Sequence, residues 1–105
     1  MALELVPPPD DALGVMPPRH GVATVESLAV NAVMAGCRPE YFPIVLTAVE
    51  AMLDPAFNLF AVQATTHPCA PLVIVSGPAV GELGINARYG AFGPGVRANA
   101  TIGRA

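Results

Sequence analysis

Apolar positions along this chain fall at helical spacing in two stretches and in short dense runs elsewhere. Val25, Leu28, Ala29, Ala32 and Val33 recur three and four residues apart, the period of a helix that buries one face. Thr24 before them is a good N-cap, Glu26 suits the positive first turn, and Gly36 is the glycine that ends helices in the left-handed region. A second helix is predicted almost at once, with Pro39 or Pro43 in its first turn, where a missing N–H is no loss. Its stripe is Ile44, Val45, Ala48, Val49 and Met52, and Leu46 and Leu53 widen it beyond what a solvent-facing helix needs. Asp54-Pro55 stops it, because the residue before proline is pushed out of the helical region.

Two strands are expected next. Residues 57–65 alternate, with Phe60, Val62 and Ala64 on one face and Leu59, Ala61 and Gln63 on the other. Pro71-Leu-Val-Ile-Val-Ser76 is uniformly apolar, the pattern of a strand buried on both faces of an α/β sheet. Gly77-Pro78 turns into a short helix over residues 79–83, closed by Gly84. A glycine-rich loop with Arg88, Tyr89 and Phe92 fills residues 84–95, and residues 96–105 begin a helix that stops at Ala105 before any cap. Residues 1–23 carry Pro7, Pro8, Pro9, Pro17 and Pro18 and are expected to form an extended arm with turns. Its apolar Leu5, Leu13, Val15 and Met16 suggest that it lies along a surface. The expected architecture is thus a proline-rich arm (1–23) and a partial α/β domain (24–105). That domain is small and layered, with two adjacent helices, a short, mostly buried sheet and an unfinished C-terminal helix, and another chain completes it.

Composition sharpens this picture. Of the 105 residues 53% are apolar and 12% charged, with a net charge of −3. High hydrophobicity with low charge excludes disorder. Five scattered arginines and no lysine make no phosphate-binding patch, so nucleic acid is excluded as a partner. No apolar run reaches the roughly 18 residues that a spanning helix needs. Met1-Ala-Leu-Glu carries an acid where a signal peptide has its basic region, so a cytoplasmic location is expected. The thirteen charged side chains (five basic, eight acidic) are few for the surface of a domain this size, and such a surface invites association.

Chemistry concentrates in three places. Cys37 falls between two predicted helices beside Arg38, and a thiol at a helix start next to a cation is the kind that serves as nucleophile or metal ligand. The run Thr65-Thr-His-Pro-Cys-Ala70 follows a predicted strand, where α/β proteins gather ligands. His67 there is a candidate base or ligand, Thr66 a substrate contact, and Cys69 a possible further ligand. Cys37, His67 and Cys69 are accordingly the candidate ligands of a transition metal, although His-x-Cys matches no standard zinc spacing. Ser76-Gly-Pro78 and the loop before Arg97 present backbone N–H groups that suit an anion, with Arg97, Asn99 and Arg38 as its substrate-binding side chains. His20 beside Arg19 reads as a solvated surface residue.

The blocks Thr24-Val-Glu, Asn31-Ala-Val-Met-Ala-Gly-Cys-Arg-Pro-Glu-Tyr41, Gln63-Ala-Thr-Thr-His-Pro68, Gly93-Pro-Gly and Arg97-Ala-Asn-Ala-Thr-Ile-Gly-Arg-Ala105 resemble the N-terminal part of an uncharacterised bacterial family. Its longer members carry a UGSC-like domain, named for a Sec/Cys-Gly-Ser-Cys motif. The resemblance runs from about residue 14 onward and implies that the last helix continues in longer relatives. This chain lacks the Cys-Gly-Ser-Cys motif, so a redox role would belong to a partner. The resulting expectation is a small subunit of a heteromeric enzyme. Cys37 and His67 would be catalytic, in thiol-dependent or metal-assisted turnover of a small, anionic molecule. The alternative is a non-catalytic structural or interaction subunit of such a complex. In both cases the partner is a larger protein subunit that carries the rest of the fold.

Overall fold

Thr24 caps the first helix as its residue type leads one to expect. Its hydroxyl accepts the N–H of Ser27 at 3.1 Å, and the Ser27 hydroxyl oxygen accepts the N–H of Thr24 at 3.1 Å. This reciprocal box starts helix α1, Val25–Ala35. Gly36 ends it in the left-handed region at φ 93°. The Cys37 N–H then reaches back to the Ala32 carbonyl, and the Gly36 N–H to that of Val33, both at 3.0 Å. These are the two bonds of a Schellman motif, and they satisfy carbonyls that the helix end would otherwise leave open. Pro39–Tyr41 form a 3-10 turn that leads into α2, Phe42–Met52, with Pro43 in its first turn. Both expected helices are therefore present with their expected caps.

The computed structural model describes residues 7–105, and among them the fold is mixed: five α-helices and one two-stranded antiparallel sheet. After α1 and α2 come α3 (Leu59–Ala64), α4 (Pro78–Glu82) and α5 (Arg97–Arg104). The sheet lies within the stretch expected to be an arm. Strands β1 (Ala12–Met16) and β2 (Gly21–Thr24) pair with a bulge between Ala12 and Gly14. The prolines allow this because each lies outside the ladder, Pro7 to Pro9 before it and Pro17-Pro18 in the turn, where no N–H is required. Leu13 and Met16 do pack on the core, as a chain lying along a surface should, while Val15 is half exposed. Leu5 lies outside the described residues.

Two further expectations are corrected. Residues 57–65 are not a strand, because a 3-10 turn, Pro55–Phe57, is followed by α3. Leu, Ala and Gln favour helix, only Leu59 is buried, and a run this short carries no decisive period. Residues 71–76 contain no turn, bend or helix and so run extended, but they pair with no strand among the described residues. They are also far from buried on both faces, for Leu72 is 64% exposed and Ile74 83%. An apolar run becomes a buried strand only when neighbouring strands cover its edges.

The core is small. Ala23, Val25, Leu28 and Leu46 form its centre, with Leu13, Met16, Phe42 and Val49 packed around them. Tyr41, Val45, Leu59, Ala32 and Ala98 are also buried, so three of the buried residues are alanines. Gly14 lets the hairpin approach the end of α2, since a Cβ there would stand 3.1 Å from the Leu53 Cδ1 atom. Among the described residues, no helix is long and apolar enough to cross a membrane.

Gly36 is the joint on which α1, α2 and α5 meet, and its φ of 93° is one that a residue with a Cβ resists. Gly36→Ala is expected to lower stability by about 1–2 kcal/mol, read as a shift in the urea midpoint at constant slope. An unchanged midpoint would show that the joint relaxes without cost.

Candidate functional site

The first candidate, Cys37, emerges half-buried from the Schellman turn with its backbone N–H already bonded to Ala32. It stands directly beyond the carboxyl end of α1, and Arg38 separates it from the following 3-10 turn, of which Arg38 is the N-cap. The thiol lines a groove of about 580 Å³ along α1, whose walls are Pro7, Pro9, Val25, Ala29, Ala32, Val33, Pro39 and Phe42. Glu26 and Arg38 are the charged side chains on this wall. The groove is thus mainly apolar, with one thiol, one cation and one acid, and it suits an apolar ligand better than a polyanion.

Arg97 comes to the same joint from α5. Its Nε–H donates to the Gly36 carbonyl at 3.1 Å, and a Cβ on Gly36 would meet the Thr101 methyl at 3.4 Å. A guanidinium on the last carbonyls of a helix satisfies acceptors and complements the negative end of the helix dipole. Arg97 therefore performs a capping role beside Cys37, using one of the five donors of its fork.

Asn99, one turn-position later, is engaged within the chain. Its Oδ1 accepts the Asn86 N–H at 2.8 Å, and its Nδ2 donates to the carbonyls of Asn86 at 2.8 Å and Ala91 at 3.0 Å. Asn86 in turn accepts the Arg88 N–H on Oδ1 and donates to the Tyr89 carbonyl. Two asparagines thus fold the glycine-rich loop onto α5. Asn86 had no place among the sequence candidates, yet Asn-Ala-Arg88 carries the signal of an Asx turn, in which the side chain bonds the backbone N–H two residues on.

His67 and Cys69 lie on the exposed link after α3 and line neither the groove along α1 nor the two grooves beside residues 71–75. The Thr65 hydroxyl does serve as an anchor there, accepting the His67 backbone N–H at 3.1 Å. The Cys69 N–H bonds the His67 carbonyl at 2.8 Å. Thr66 is exposed beside them. This link follows a helix and so lacks the strand end that was expected to hold it. Both cysteines are free, and among the described residues no three His, Cys, Asp or Glu side chains gather as a metal site would require. The candidate set Cys37, His67 and Cys69 is thus not assembled as a metal centre, and no step is derived through a metal.

The remaining two grooves share a wall. Residues 71–75 line one of about 580 Å³ against Ile44, Ala48 and Met52 of α2, together with Phe57. They also line another of about 450 Å³ against Ala98 and Ile102 of α5 and Ile85 and Phe92 of the preceding loop. The widened apolar stripe of α2 is explained here: Val45 and Leu46 enter the core, while Ile44, Ala48 and Met52 face this groove. No family model, curated protein or solved structure matches the chain.

Asn99→Ala removes three hydrogen bonds and strands the Asn86 N–H in a partly buried setting. It is expected to cost about 2–3 kcal/mol, measured by chemical denaturation. A loss under about 0.5 kcal/mol, the range of an ordinary surface change, would show that the loop holds without it.

Proposed function

We propose that this chain is a non-catalytic structural subunit that contributes helices and one strand to an α/β core shared with a larger protein chain. The observation that carries this reading is the 71–76 segment, extended, apolar and exposed, with an apolar groove against α2 and another against α5. In a self-sufficient α/β domain such a segment is covered along its edges and on both faces. Here Leu72 and Ile74 stand in solvent. The residues first considered for chemistry fit the same role: Arg97 caps a helix, Asn99 folds a loop, and Thr65 holds a turn. The resemblance to the N-terminal part of the UGSC-like family supports it too, since that likeness implies a fold with more chain than this.

A second reading is favoured by one feature, the presence of Cys37 and Arg38 on the wall of the α1 groove. In that reading the thiol is a nucleophile toward a small molecule whose carboxylate Arg38 binds, and the chain is the small subunit of an enzyme. Cys37→Ala would then lower turnover of the assembled complex by about two to four orders of magnitude. Turnover unchanged in both Cys37→Ala and His67→Ala is the outcome that the structural reading expects.

The structural reading itself is tested by light scattering on the isolated 105-residue chain. It is expected to form oligomers or aggregate, because a sparsely charged surface with Leu72 and Ile74 exposed favours association. A chain that stays a monodisperse monomer at every concentration would overturn it.

A further inference from the structure

The extended segment specifies what kind of surface covers it. Among the described residues, no backbone N–H or carbonyl of residues 70–76 has a hydrogen-bond partner. In an extended chain successive N–H groups point to opposite edges, so Leu72 and Ile74 offer donors along one edge and Val73 and Val75 along the other. No charged side chain occurs over residues 68–81. The chain exposes 7279 Å² in all, and its Cα radius of gyration is 14.0 Å. A compact monomer of this mass exposes about 5,500 Å², and one of this length has a radius near ~13 Å.

Resting on the subunit reading, the geometry points to a β-strand of the partner chain as the occupant of one edge of residues 71–76. That strand is uncharged, and its side chains are apolar on both faces, alternately entering the groove against α2 and the groove against α5. A helix docked here would cover apolar surface but leave a row of donors and acceptors unpaired, and a small ligand would satisfy one or two of them. A strand satisfies the row and fills both grooves, because its side chains alternate between faces. A charge on it would be desolvated against residues 68–81, which carry no counter-charge.

The test uses the full chain and a blocked peptide of five valine and isoleucine residues flanked by serines, with the same peptide N-methylated at every residue as control. Backbone amide hydrogen exchange is read at low protein concentration with and without peptide. With peptide at about ten times its Kd, the amides of one edge, Leu72 with Ile74 or Val73 with Val75, are expected to exchange about tenfold more slowly. The other edge and the N-methylated control should show no change. Protection of neither edge overturns the proposal, as does equal protection by the control, which would mean apolar contact without strand pairing. Slow exchange that persists on dilution before peptide is added also overturns it, because the chain then supplies its own partner. Failure of the peptide with persistent oligomers in light scattering would leave the subunit reading standing on another surface. A monomer throughout would remove both.

Discussion

The carbonyl of Gly36 is the point on which the three main helices depend. Glycine alone enters the left-handed region there without strain, so α1 stops and the chain turns at once into the 3-10 turn and α2. That turn leaves the Gly36 oxygen pointing outward at the end of a helix dipole, and the Arg97 guanidinium of α5 binds it. One acceptor thus joins residues 61 positions apart in sequence. The stabilisation is modest, since an exposed hydrogen bond contributes about 0.5–1.5 kcal/mol. Its importance is geometric: it fixes where α5 lies, and with it one wall of the groove beside residues 71–75.

That joint holds an assembly with little apolar interior. The buried set leans on alanine and leucine, three of each, and the central cluster comes from the hairpin, α1 and α2. Much of the chain's apolar content faces grooves: Val33 along α1, Ile44 and Met52 along α2, and Ile102 along α5. Small domains bury a low fraction of their surface even when well packed. Burial that is absent within the chain is the driving force left for association.

What the amino-acid pattern revealed followed local rules. Thr24, Gly36, Pro43, Asp54-Pro55 and Gly77-Pro78 each act locally, through their own backbone or a side chain that bonds the nearby backbone, and the helices start and stop where these residues lead one to expect. The errors lay where a neighbour decides. The alternation in residues 57–65 suits a strand, but among the described residues no strand pairs with it, and the helix propensity of Leu, Ala and Gln prevails. The hairpin was hidden by its prolines, because composition reports that proline is present and not on which side of a ladder it falls. Among site candidates, the proximity of Arg97 to Cys37 was not legible, since it depends on a contact between elements far apart in sequence. The Asn86 and Asn99 network was half legible, through the Asx turn at Asn86.

The uncharged stretch at residues 68–81 also sets the order of a rate. Pairing of the 71–76 segment with a strand from another molecule is a second-order event, so it slows as subunit concentration falls, whereas the helices around Gly36 close within one molecule and do not. A five-residue run rich in valine and isoleucine, with no charge to act as a gatekeeper, also pairs readily with itself and others like it. If a partner strand captures the segment as proposed, that capture competes with off-pathway stacking, and both are bimolecular. Under the subunit reading proposed above, the ratio of the two chains during synthesis decides between them, and co-expression at matched levels favours capture.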